Sequence, residues 1–190
     1  MRAQIRSVLL LAVAAALAVE VARGTAGSPS AAAEHAVAAL SKGRAAARAR
    51  AKLVSARLIL RLRAQTWRWQ SLMGVRPTQH AVRPRTRRTL RFWRGAARRA
   101  SRSAARPPHR SAWECIHRYE GLWSDGSDPY WGGLQMDRSF MLRYAPAQLL
   151  RRGWANAWSP VEQMWVAERA LRSGVDFGAW PNASRLCGLV

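Results

Sequence analysis

Glu120 is the residue of this chain whose type and setting best suit chemistry. It closes a short segment in which Trp113, Ile116 and Glu120 fall at i, i+3 and i+7. On a helix those positions share one face. The face is otherwise apolar, so the carboxyl stands at the inner end of a buried stripe. Apolar surroundings disfavour the charged form and lift a carboxyl above its free value of about 4.3. A carboxyl that stays protonated near working pH is a general acid. A second chemical feature follows at Tyr130-Trp131-Gly132-Gly133-Leu134-Gln135-Met136. Paired glycines after two aromatics suit a tight turn into a short strand, with backbone close to a ligand. Cys115 and Cys187 are the only cysteines. One disulfide closing a long loop is the natural reading and implies an oxidising compartment. The alternative is two unpaired buried thiols. A zinc site lacks a second pair of ligands, so no metal and no cofactor is expected.

Helices must carry these residues. Ser111-Ala112-Trp113-Glu114 has the hydroxyl and carboxylate spacing of a capping box and predicts a helix to about Glu120, ended by Gly121. Residues 124–129 then read as a loop. Asp137 is a good N-cap for a helix through Arg143. A short helix is expected from Pro146. Ser159-Pro160-Val161-Glu162 is a second capping box with proline at the first helical position, and predicts a helix to about Ser173. Residues 177–190 read as an irregular tail. The expected fold class is mainly α, α+β at most, with little or no sheet.

Charge divides the chain more sharply than any motif. The formal net charge is +22 over 190 residues. Residues 112–190 hold eight acids and eight arginines, which leaves 24 of the 32 bases and two of the ten acids to residues 1–111. Seven of the ten tryptophans and all three tyrosines also follow residue 111. The domain boundary is therefore expected there. Residues 1–26 read as an export signal: Arg2 and Arg6, an apolar run too short for a comfortable membrane span, then small residues. Residues 27–74 form an Ala/Arg-rich segment expected to be a long, exposed, cationic helix, with Gly43 as the one place it could break. Residues 75–110, rich in Pro and Arg, read as a mostly disordered linker with a short helix near residues 89–99. The export signal argues against nucleic acid as the partner of this charge. Anionic wall polymers or a membrane surface are the expected partners, with a soluble tether as the bland alternative.

Taken in order, Trp113…Cys115…Glu120, the Tyr130–Met136 motif, Glu162-Gln163…Val166-Ala167-Glu168-Arg169 and Gly178-Ala179-Trp180-Pro181…Cys187-Gly188 resemble the resuscitation-promoting factor core domain. That is a transglycosylase-like branch of the lysozyme superfamily in Gram-positive bacteria. The resemblance covers residues 111–190. It implies a small lysozyme-like domain, a secreted or cell-wall-associated monomer, peptidoglycan glycan strands as substrate, and a bridge between Cys115 and Cys187. It places the catalytic acid on Glu120 and the substrate-lining turn on Gly132, Gly133 and Gln135. Trp131 is the candidate for stacking on a sugar ring. Glycoside cleavage needs a proton delivered to the leaving oxygen as an oxocarbenium-like centre develops. A hydrolase usually needs a second carboxylate, for which Asp125, Asp128 and Asp137 are candidates. A lytic transglycosylase uses the sugar's own 6-hydroxyl, with the one Glu as acid and then base. The chain departs from the family in carrying Glu120-Gly121 where Glu-Ser is common. His117 and Glu168 read as structural, Glu168 paired to an arginine or a helix end. The competing reading is a non-catalytic wall-binding module tethered by the cationic segment.

Overall fold

The computed structural model describes residues 31–80 and 87–190. The expected export signal lies outside the described residues. The chain divides into two units, Met1–Arg44 and Ala45–Val190. The described part of the first is the opening of helix α1, Ala31–Met73, exposed from residue 34 onward. Gly43 does not break α1, because a single glycine costs only about 1 kcal/mol in a run of strong helix formers.

The second unit holds everything that positions Glu120. In it the later turns of α1 acquire a covered side, with Ile59, Thr66 and Leu72 buried. Helix α2, Arg87–Ala104, follows. It buries Thr89, Trp93, Ala96, Ala97, Ala100 and Ala104. Those spacings of three and four draw one helical stripe. Ile59, Trp93 and Ala96 form a small cluster with Leu62, Leu90 and Phe92 packed on it, and Trp67 meets Trp93 edge-on at 6.3 Å. Half of the expected linker, residues 87–104, is thus a helix, longer at both ends than the short one expected near residues 89–99. Average composition hid it: the arginines of α2 raise the mean charge of a segment whose other face is alanine and tryptophan.

Helices α3 (Arg110–Glu120), α4 (Arg138–Tyr144), α5 (Ala147–Leu150), α6 (Pro160–Arg172) and α7 (Pro181–Leu186) complete the unit. Among the described residues the sheet is one antiparallel pair, β1 (Tyr130–Trp131) and β2 (Met136–Asp137), with Trp131 opposite Met136. The class is mainly α, as expected. The tail is not irregular: a 3-10 turn at Phe177–Ala179 leads into α7, which Pro181 opens.

α6 is the centre. Residues 162–168 are all buried, the mark of a helix enclosed by others. Around it lie Trp113, Ile116, Leu134, Met141, Trp158 and Trp180. The same core takes in Leu72 and Met73 from the end of α1 and Ala104 from the end of α2. Trp165 donates its indole N–H to the Ala104 carbonyl at 2.7 Å, and Arg169 donates to the Ser71 carbonyl at 3.2 Å. Arg68 pairs with buried Glu162 at 3.1 Å. The boundary expected at residue 111 therefore falls inside a packed unit. Charge changes there, but burial does not.

Candidate active site

Three buried polar residues on α6 each need partners, since a buried polar group without one is costly. Each is satisfied by fixing another element. Glu162 closes the expected capping box with Ser159 and pairs with Arg152 at 2.6 Å. Burial pushes its carboxyl up, but the bonds from Arg152 and Ser159 prevail and hold it below the usual range.

Glu168 fixes the start of α3. One of its oxygens accepts the Trp113 indole N–H at 2.9 Å and the His109 backbone N–H at 2.7 Å. The other faces the His109 ring at 3.1 Å. This is the structural role expected, with an indole and a helix start in place of an arginine. It also explains why the expected Ser111–Glu114 capping box does not form. α3 begins two residues earlier, its cap residue is His109, and Glu114 turns back onto Arg110 at 2.7 Å.

Gln163 fixes the glycine turn. Its amide oxygen accepts the Gly133 N–H at 2.9 Å. Its amide nitrogen donates to the carbonyls of Trp123 and Ala155, both at 2.8 Å, and to Trp158 at 3.2 Å. A Cβ on Gly132, where φ is +76°, would lie 2.8 Å from the Gln163 Cδ and 2.9 Å from the Ala155 Cβ. One on Gly133 would lie 2.5 Å from the His117 Nδ1. Both positions are therefore glycine by necessity. Their backbone is not open to a ligand, contrary to expectation: both are buried, and the Gly132 N–H is taken by the Asp125 carbonyl at 2.8 Å. The turn is a joint between α6 and the loop after α3.

Glu120 ends α3 on the face of fully buried Trp113 and Ile116. It is half-buried and has no hydrogen-bond or ion-pair partner among the described residues. Burial alone pushes its carboxyl up. Trp113, on the same face, has a partner of its own. It stands seven residues, about 10 Å, back along the helix, with its indole N–H held by Glu168. Gly121 takes φ +147°, where a side chain is strained, and a Cβ there would lie 3.4 Å from the Gln135 Nε2 and 3.5 Å from the Asp125 Oδ2. That conformation accounts for glycine at the position where the resembled family carries serine.

Asp125 and Gln135 are thus brought to the residue beside Glu120. Gln135, at φ +45°, donates from Nε2 to Asp125 Oδ2 at 3.0 Å and to the Gly132 carbonyl at 3.0 Å. Asp125 also accepts the Ser127 N–H at 3.0 Å, and that bond, ahead of the others, holds its carboxyl below the usual range. Asp137 caps α4 instead, accepting the Phe140 N–H at 2.7 Å, as expected of an N-cap. Asp128 is exposed. Of the three candidate second carboxylates, Asp125 alone is placed beside Gly121.

His117 lies a turn before Glu120. Its ring stacks on Trp123 at 4.1 Å, and its Nδ1 is buried without a partner. Trp131 is half-buried and tilted against Trp154 at 5.7 Å, leaving part of its surface free. Cys115 and Cys187 are bonded, with Cα atoms 6.0 Å apart. The bridge ties α3 to the end of α7. No grouping of three or more His, Cys, Asp or Glu residues fit to hold a metal occurs among the described residues.

Gln163 is the residue whose importance sequence reasoning missed. Its signal was an amide in the middle of a helix otherwise reading as core, next to Met164 and Trp165. Comparison with family profiles, curated proteins and solved structures returns no match.

Proposed function

We propose that this protein is a secreted, wall-associated enzyme that cleaves the glycan strands of bacterial peptidoglycan, by lytic transglycosylation or as a muramidase-like glycosidase. Glu120 is the general acid and then the general base. One observation carries the reading: a carboxyl with no protein partner, pushed up by burial, at the end of a helix pinned by Glu168 and a disulfide. An acid so placed has its proton free for a substrate oxygen.

The steps balance on one proton. Protonated Glu120 gives its proton to the glycosidic oxygen as the bond to the anomeric carbon breaks. The carboxylate left behind then takes a proton from the nucleophile as that nucleophile bonds to the anomeric carbon. If the nucleophile is the sugar's own 6-hydroxyl, the product is an anhydro sugar. If it is water, the product is a reducing end. Asp125, whose carboxyl is brought beside Gly121 and held below the usual range, is the candidate second carboxylate for the water route. Trp131 and Gln135 are the candidate sugar contacts.

Digestion of purified peptidoglycan followed by mass spectrometry tests the proposal and separates the two products. Glu120→Gln keeps the volume but removes the transferable proton, and is expected to abolish cleavage without unfolding the domain. More than a few per cent of residual activity in that variant would remove Glu120 from the role.

A further inference from the structure

α2 buries one face, and the opposite face carries an unbroken line of charge. Arg87, Arg91, Arg94 and Arg98 recur at i, i+4, i+7 and i+11, and all are exposed. At 100° per residue they fall within about 60° of one another. Their Cα atoms are spaced about 4.5–6 Å along the axis and span about 16 Å. These four, with Leu90 and Gly95, line an open cavity of about 540 Å³. No acid occurs on α2. Among the described residues none of the four arginines is in an ion pair. The line is also mounted rigidly, because Trp93 and Ala96 on the other face are packed against Ile59 of α1.

Rows of guanidinium groups facing solvent repel one another and lose that penalty when an anion lies between them. A row of single charges at regular spacing along one helix face fits a linear polyanion with one charge per repeat. Bases and membranes fit it less well. Single-stranded nucleic acid sites interleave aromatic rings with the cations. Here Trp93 is buried and Phe92 is stacked on His80 at 3.9 Å, so neither is offered to a base. An interfacial membrane helix shows large exposed apolar residues opposite or beside its basic ones. The large apolar residues of α2, Leu90, Phe92 and Trp93, are half-buried or buried.

We infer that the Arg87–Arg91–Arg94–Arg98 row of α2 is a binding site for an extended polyol-phosphate chain, each guanidinium taking a phosphodiester of successive repeats. The site lies on a different helix from Glu120, and binding there needs no turnover. It would hold the enzyme against the anionic polymers threaded through its substrate, and in that respect it rests on the proposed function.

The experiment measures binding of poly(glycerol phosphate) to the full oxidised protein at 50–200 mM salt. Duplex DNA, single-stranded DNA and anionic lipid vesicles are compared under the same conditions. The quadruple variant replacing the four arginines by glutamine is set against a control that removes four other exposed cations, Arg48, Arg50, Lys52 and Arg57, in the same way. The row variant is expected to weaken polymer binding at least tenfold. Losing four phosphate contacts should flatten the slope of log K against log salt by about 3, at about 0.7 per contact. The control is expected to change both by much less. An Arg94→Gln/Arg98→Gln pair, with half the change in slope, serves if the quadruple variant does not fold. Equal losses in row variant and control would overturn the proposal, as would tighter binding of DNA or vesicles than of the polymer. Binding is measured without peptidoglycan, so an inactive Glu120 and a failed polymer site give separate results.

Discussion

Replacing Gln163 by leucine should loosen the glycine turn more than any other single change of similar volume. Leucine preserves the bulk and the helix propensity but removes both halves of the amide. The Gly133 N–H, buried, loses its partner outright. The carbonyls of Trp123 and Trp158 lose theirs as well. The Ala155 carbonyl is spared, because it also accepts the Trp158 N–H at 2.9 Å. An orphaned buried donor or acceptor costs about 1–3 kcal/mol. Taking about 2 for the Gly133 N–H, about 1 for the buried Trp158 carbonyl and about 0.5 for the part-buried Trp123 carbonyl gives about 3.5 kcal/mol. A domain of this kind is stable by only about 5–15 kcal/mol. With a urea slope near 1.5 kcal/mol/M, the unfolding midpoint should fall by about 2 M at unchanged slope. Urea unfolding followed by tryptophan fluorescence measures it, on the oxidised protein. A midpoint shift under about 0.5 M would mean that the turn is held by its own backbone and that the role given to Gln163 is wrong.

Other consequences are equally direct. Burial raises the folded pKa of Glu120 above its unfolded value, so its contribution to stability is full below about pH 4.3 and is lost as pH rises through the folded pKa; Glu120→Gln should flatten that part of the stability-against-pH curve, and an unchanged curve would contradict a buried carboxyl. The same raised pKa puts the descending limb of the pH–rate profile above the free glutamate value, to be read from kcat/KM across pH, and a limb at or below about 4.3 would argue against Glu120 as the acid. Removing residues 1–110 strips Leu72, Met73 and Ala104 from the core, at about 1.5–3 kcal/mol for each large side chain, so the remaining piece should melt far below the full protein, and equal melting temperatures would restore a boundary at residue 111. Reducing the disulfide, whose cysteines are 72 positions apart, should cost about 4 kcal/mol by the chain-entropy relation and lower the melting temperature measurably; no shift would show that the bridge does not constrain the fold.

Local signals were legible and distant ones were not. The Ser159–Glu162 box and the Asp137 cap depend on residues within four positions of one another, and both form as the sequence implies. The helix leading to Glu120 was legible for the same reason, through its three-and-four spacing. The Ser111–Glu114 box had an equally good local pattern, yet it lost to Glu168, 59 positions away from the His109 it holds. The glycine pair was legible as a turn. That its backbone faces inward depends on Gln163, 30 positions away from Gly133. α2 was obscured by averaging: counted together its residues are cationic and polar, but sorted by helical angle they separate into an arginine row and an alanine–tryptophan face. The charge boundary at residue 111 misled in the opposite sense, because exposed charge reports on solvent and not on which segments share a core.

The bond between Cys115 and Cys187 has a reciprocal side. Whatever stability the bridge gives the folded domain, the folded domain gives back to the bridge, since both complete the same thermodynamic cycle. A difference of about 4 kcal/mol makes the two thiols close roughly a thousand times more readily in the folded chain than in the unfolded one. Any change that loosens the core, such as loss of Gln163 or of Leu72, therefore also makes the bridge easier to reduce. Any reducing compartment in turn acts on α3 as a destabilising mutation would. The helix that carries Glu120 is thereby sensitive to the redox state of its surroundings without itself containing a redox-active group beyond one ordinary cystine.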